Sequence, residues 1–376
     1  MNRRRLLFAV MCIAAAAPVS AQLPAARQQE IERLVAHEMS RQNMPGVSIA
    51  VAVRGELVWS AGFGLADLEN FVPAKPSTMY RLASVSKPIT AVAVMQLQEA
   101  GKIDLDASIR RYVPSFPAKP WTITVRQLLG HLGGIRHYED DDEINSTKHY
   151  PDMLSPLKTF ASDPLVAEPG TRYHYTSYGY VLLGAAVEAA AGQRYQEYVK
   201  NRIFAPAGIE RIRQDHVFAI IPNRARGYVL NSAGQLQNCS LADTSNKVAG
   251  GGMIGNVEDV VRFAAAVRAG KLVKHNSMEA MFTPQRLPEN KQSLYGLGWD
   301  VWTLDNRKLV SHTGGQQGTS TIVAMLPREG DIVAIMTNLE HAQLRELSNH
   351  VLKLLMDLPA PRRKQGEELT STIRSR

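Results

Sequence analysis

From position 24 to 43 the apolar residues Ile31, Leu34, Val35 and Met39 recur at helical spacing among charged neighbours, which predicts an amphipathic helix. Residues 44–53 are then an almost unbroken β-forming run, Arg54-Gly55 reads as a turn, and residues 56–61 complete a hairpin. Near the far end, residues 308–312, 319–326 and 331–337 predict three more strands, and residues 341–358 a closing helix. Between these ends the periodicity is mostly helical, at 86–100, 124–130, 178–191, 195–204 and 257–269. The expected fold is α+β: an antiparallel β-sheet flanked by N- and C-terminal helices, built from 22–82 and 246–360, with a mostly helical domain, 83–245, inserted. Residues 361–376 read as a polar tail.

The first residues follow another pattern. Arg3, Arg4 and Arg5 precede an apolar run at 6–17, and Val19-Ser20-Ala21 is a small-residue stop, so 1–21 reads as a signal peptide. Export is therefore expected, to the periplasm or the medium; Sec and twin-arginine routes both stay open. About twelve apolar residues fall short of the roughly 20 that span a bilayer, so no stable membrane span is expected after the signal is removed. A chain that is 45% hydrophobic and 21% charged is ordinary for a soluble enzyme and excludes wholesale disorder. Of the +8 net charge, three positive charges sit in the leader and the rest are dispersed except at Arg362, Arg363 and Lys364, which argues against nucleic acid. Cys12 lies in the leader, leaving Cys239 alone and no intramolecular disulfide possible. The acidic stretch Glu139 to Glu143 reads as a solvated loop.

Ser84-Val85-Ser86-Lys87 opens a segment, 89–97, that is apolar on nearly every face, as in a buried helix. Spacing of i, i+3 brings Ser84 and Lys87 to one side of its first turn, where unpaired backbone N–H groups suit a developing oxyanion. Ser155-Pro156-Leu157-Lys158 has the same spacing but no buried helix after it. A second element, Tyr173 to Ser177, feeds the helical run at 178–191 from the turn at Glu168-Pro169-Gly170. A third, His312-Thr313-Gly314-Gly315, ends one strand just before another.

In this order the three elements resemble the Ser-x-x-Lys, Tyr-x-Asn and Lys-Thr-Gly motifs of the serine beta-lactamase and penicillin-binding protein superfamily, in its class C-like branch. The wording at 134–139, 175–180 and 312–315 is closer still to the mitochondrial beta-lactamase-like serine proteases and their bacterial relatives. The resemblance implies Ser84 as nucleophile, Lys87 and Tyr175 as proton-handling partners, and the N–H groups of Ser84 and Gly315 as oxyanion hole. It implies substrate contacts at Ser177, His312, Thr313 and Gly315, with no metal and no cofactor. Either a neutral Lys87 or a tyrosinate at Tyr175 yields a base. Two departures stand out: His312 replaces lysine and anchors an anion only when protonated, and Ser177 replaces asparagine, which removes an amide that both donates and accepts. His131-Leu132-Gly133-Gly134 departs from His-Thr-Ser-Gly in what reads as a structural turn, with His131 a core or turn residue.

Gly250 to Gly255 formally fits Gly-x-Gly-x-x-Gly, but it follows polar Ser245 to Lys247 instead of a strand, and a glycine turn lining the active-site wall is expected. No Gly-x-Ser-x-Gly elbow and no His-Glu-x-x-His cluster occurs. The leading expectation is a serine hydrolase that forms an acyl-enzyme on Ser84 and cleaves amide bonds of small-molecule or peptide substrates, including beta-lactams. A carboxylesterase with the same machinery and a non-catalytic, assembly-forming protein are the alternatives. Oligomeric state is left open by the sequence.

Overall fold

The computed structural model describes residues 22–356 and 358; the expected signal peptide at 1–21 and the polar tail at 361–376 lie outside the described residues. Helix α1 (Ala25–Gln42) starts after Pro24 and stops at Asn43, whose left-handed φ of 54° ends it; Ile31 and Val35 form its buried stripe. Strands β1 (Gly46–Val53) and β2 (Glu56–Asp67) are joined through Arg54 and Gly55, both at positive φ, the arrangement that matches the twist of a tight hairpin. With β3 (Val72–Pro73), β4 (Asp300–Leu304), β5 (Arg307–Gln316), β6 (Thr319–Leu326) and β7 (Asp331–Thr337) they make a seven-stranded antiparallel sheet in the order β3-β2-β1-β7-β6-β5-β4. The sheet draws its strands from both ends of the chain.

Alternation along the central strands separates two cores. Val47, Ile49 and Val51 of β1, with Ile322 and Ala324 of β6 and Val333 and Ile335 of β7, meet α1 and the closing helix on one face. Ala50, Ala52, Val323, Met325, Ala334 and Met336 face the helical half on the other. There, helices α2 (Ser86–Glu99), α3 (Ser177–Ala191) and α4 (Val257–Arg268) pack, and α5 (Arg345–Met356) lies on the opposite side with α1. The small residues Ala50, Ala52 and Ala334 let α4 approach the sheet. Among the described residues, no helix is long and apolar enough to cross a membrane.

Two elements run further than their pattern predicts. Strand β2 continues past Ala61 because Gly62 and Gly64 sit where chain crosses chain: a Cβ on Gly62 would lie 2.3 Å from the Ala74 carbonyl oxygen. Strand β5 continues through Gly314 for the same reason, since a Cβ there would lie 2.5 Å from the Leu82 oxygen. That close approach carries the end of β5 against the start of α2.

Candidate active site

Ser84 lies in a single 3-10 turn, Ala83–Val85, that leads directly into α2. Ala83 is held at φ 48°, a left-handed conformation costly for a residue with a Cβ, and such strain just before a reactive side chain is maintained by its surroundings. Here Thr321 Oγ1 donates to the Leu82 oxygen at 2.9 Å and Thr319 Oγ1 to the Arg81 oxygen at 3.1 Å, tying the turn to β6. Gly314 packs beneath it, and Gly315 faces open space. Strand β4 pairs with β5 only as far as Ser311, so residues 312–316 present one edge with no strand partner among the described residues. A backbone donor from that edge and the unpaired N–H groups at the helix start can therefore converge on one point.

Lys87, on the first turn of α2, is fully buried. Its Nζ lies 3.0 Å from Ser84 Oγ, 3.0 Å from Ser177 Oγ and 2.7 Å from the Gly250 oxygen, and no carboxylate pairs with it among the described residues. Burial, helped by the charge of Lys247, lowers its pKa well below the ordinary lysine value, which favours the free amine. Tyr175 donates from its hydroxyl to Ser84 Oγ at 2.7 Å. Burial raises its pKa well above the ordinary tyrosine value, and the bond to Ser84 only partly opposes this, so the phenol stays protonated. Of the two sources of a base open in the sequence, these surroundings favour the amine.

Tyr175 is set from both sides. The His174 N–H donates to the His131 oxygen at 2.9 Å and the Thr176 N–H to His131 Nδ1 at 3.2 Å, so one residue brackets it. Thr176 Oγ1 donates to the Arg136 oxygen, and the Ser177 N–H to His137 Nδ1 at 3.2 Å. Thr176 also caps α3 by accepting the Tyr178 N–H. His131 thus does more than fill a turn, although it touches no reacting atom. Its loop depends on Gly134, which is at φ 68° and whose Cβ would lie 2.1 Å from the Ala167 oxygen. Gly134→Ala is expected to cost about 2–3 kcal/mol through overpacking and backbone strain, read as a lower urea midpoint with unchanged slope.

Ser84, Tyr175, Ser177, Thr313 and Gly315 line one cavity of about 250 Å³, together with Ala83, Gly250 and Gly251. Gly250 and Gly251 end a short helix, Val248–Gly251, where a turn was expected. The structure treats His312 differently. It is buried, its Nδ1–H donates to the Thr313 oxygen at 2.6 Å and its Nε2 accepts from the Tyr295 hydroxyl at 2.9 Å, and it does not line the cavity. Burial, with Lys87 nearby, pushes its pKa down to about 3, so the protonated anion anchor expected at this position has neither the charge nor the exposure it needs. Glu143 also departs from expectation: instead of belonging to a solvated loop it accepts both NH groups of Arg136 at 2.8 Å and the Tyr178 hydroxyl at 2.8 Å. The cavity further takes in His137, Tyr138, Ile144, Lys247 and Gln316, which no periodicity or motif singled out for this role. His137 and Tyr138 lie within the 134–139 segment that carries the family resemblance, which assigns them no role in the site.

A nucleophile, an amine and a phenol between a helical domain and the edge of an antiparallel sheet define the class of serine hydrolases related to penicillin-binding proteins. Residues 31–356 match the Beta-lactamase family, and the chain belongs to it. It is 32% identical to the serine beta-lactamase-like protein LACTB, mitochondrial, of Homo sapiens, over 85% of this chain and 77% of that one. The octameric penicillin-binding protein homologue from Pyrococcus abyssi superposes with a TM-score of 0.76 at 26% identity, covering 88% of this chain and 77% of that one. The D-amino acid amidase from Ochrobactrum anthropi SV3, complexed with D-phenylalanine, shares the fold with a TM-score of 0.78 at 24% identity, over 88% and 99% of the two chains. The α+β architecture and the family resemblance expected from the motifs are thus both met.

Proposed function

We propose that this protein is an exported serine hydrolase that forms an acyl-enzyme on Ser84 and cleaves amide bonds of small peptides or beta-lactams. The observation that carries this reading is that Ser84 Oγ lies within hydrogen-bond distance of both a buried amine and a half-buried phenol, on the wall of a cavity lined by the free end of a sheet strand. With Lys87 neutral, its two N–H groups serve the Gly250 oxygen and Ser177 Oγ, and its lone pair faces the Ser84 hydroxyl. The serine oxygen attacks the carbonyl carbon as Lys87 takes its proton, and the carbonyl oxygen becomes an oxyanion held by the N–H groups of Ser84 and Gly315. Collapse breaks the carbon–nitrogen bond. The departing nitrogen takes a proton from Tyr175, and the Lys87 ammonium gives up its proton to the resulting tyrosinate, which restores both groups. Water then attacks the ester, giving its proton to the same base and releasing the acid and Ser84.

The test is the intact mass of the full chain after incubation with benzylpenicillin, beside Ser84→Ala, with loss of the drug followed in the same samples. A Ser84-dependent adduct or Ser84-dependent drug loss is expected, and the adduct's lifetime separates slow acylation from turnover. Equal behaviour of the two proteins toward benzylpenicillin, a peptide amide and a simple ester would sink the reading; turnover of the ester alone would favour the carboxylesterase.

A further inference from the structure

The short helix Val248–Gly251 borders two cavities that share no lining residue. Gly250 and Gly251 line the one around Ser84, and Val248 lines another, of about 500 Å³, that the acylation chemistry leaves unused. Its floor is buried and apolar, made by Tyr195, Val199, Phe204, Ile212, Val248 and Met253. The Tyr195 hydroxyl is already paired with Thr90 Oγ1 at 2.6 Å, so the floor holds a ligand through apolar surface. Lys200 and Phe204 on the wall begin and end a π-helical turn, Lys200–Phe204, that follows the helix Tyr195–Val199. Such turns are rare and are frequently kept where they shape a functional site.

Charge distinguishes the mouth. Lys200 and Arg213 line it and are exposed, and neither side chain is in a hydrogen bond or ion pair among the described residues. No aspartate or glutamate among the described residues lines this cavity. A larger groove of about 890 Å³ adjoins it and shares Gln196, Gln214, His216 and Val248, but there Asp152, Glu188 and Glu197 outnumber Arg194. An anion is therefore repelled from the groove and drawn to the Lys200 and Arg213 end, while an apolar group is drawn to the floor. At about 500 Å³ the cavity has the size of a small-molecule site, commonly ~300–1,000 Å³.

We propose that this cavity binds an amphipathic anion, an apolar chain over Val248 and Met253 with a carboxylate at Lys200 and Arg213. The site is separate from the one that holds Ser84 and does not depend on the hydrolase reading. The rival roles are a surface groove that binds nothing and a general apolar trap that takes any chain whatever its charge. Both cations are exposed and engage no partner among the described residues, so replacing them leaves the fold alone and makes head-group preference the decisive readout.

The probes are decanoate, decanol and acetate, titrated into the full chain by calorimetry at two temperatures, so that a vanishing enthalpy at one does not hide apolar binding. Decanoate is expected to bind one-to-one, decanol about 3- to 30-fold more weakly, as for the loss of two exposed charge pairs, and acetate not measurably. Lys200→Gln combined with Arg213→Gln should bring decanoate to the affinity of decanol and leave decanol unchanged, with the wild-type urea midpoint retained. Added salt should erode the wild-type preference for decanoate in the same direction. An affinity for decanoate unchanged in the double variant would place its binding elsewhere and overturn the proposal. Equal affinities of decanoate and decanol in the wild type, or no binding of decanoate at either temperature, would overturn it as well.

Discussion

Lys87→Met is expected to lower kcat/KM about 10²- to 10⁴-fold on any substrate the wild type turns over, the usual size of a lost general base. Methionine keeps the length of the stem in a pocket where Lys87 is wholly enclosed, so what is removed is the nitrogen. In the wild type the rate should rise with pH as the amine loses its proton and level off well below the ordinary lysine value of 10.5, because burial has depressed that pKa. The variant should show no such limb. A linked change is expected in stability. Between the folded pKa and 10.5 the unfolded chain binds a proton at Lys87 that the native state does not, so this group makes stability rise with pH. Urea unfolding at pH 7 and pH 9 should therefore show a larger gain for the wild type than for Lys87→Met. An active variant, or identical pH increments in the two proteins, would remove Lys87 from the role of base.

How much of this was readable in the chain depends on whether a residue's role is local. Strands β6 and β7 run over 319–326 and 331–337, as their pattern predicts, since each is apolar on both faces and punctuated by turns. The spacing of Ser84 and Lys87 at a buried helix start is equally local. Tyr175 needed the family resemblance, because only tertiary ties from His131, Arg136 and His137 bring a loop 91 residues away to the serine. His312 and Lys247 show the limit. A histidine in a motif reads as a contact, yet here Tyr295 and the Thr313 carbonyl claim both ring nitrogens. A lysine in a polar stretch reads as surface, yet the short helix after it carries it inward. Glu143 is similar: five acids in a row look solvated, yet the chain turns back within seven residues so that Glu143 meets Arg136.

That meeting sets the second large effect, a loss of about 3 kcal/mol for Arg136→Met. Arg136 is 7% exposed and spends its guanidinium on Glu143, on Asp163 Oδ2 at 2.6 Å, and on the His137 and Thr159 oxygens. Removing it leaves Glu143, 17% exposed, as a desolvated carboxylate, and such a stranded charge costs more than the pair was worth. The lower end of the range expected for a broken buried pair applies because Asp163 is 32% exposed and water recovers part of its loss. In the wild type, burial would raise the pKa of Glu143, but the bonds from Arg136, the Glu139 N–H and Tyr178 override it and hold it below 4.5. Its contribution is therefore present above pH 4.5 and lost as the pH falls through the folded pKa. Without the guanidinium the carboxyl pKa rises, the native variant takes up a proton that the unfolded chain does not, and the deficit against wild type should narrow between pH 7 and pH 5. Adding Glu143→Gln to Arg136→Met should recover about 1 kcal/mol or more, since it discharges the stranded group. A double variant no more stable than the single, with a deficit constant in pH, would show that Arg136 acts through packing alone.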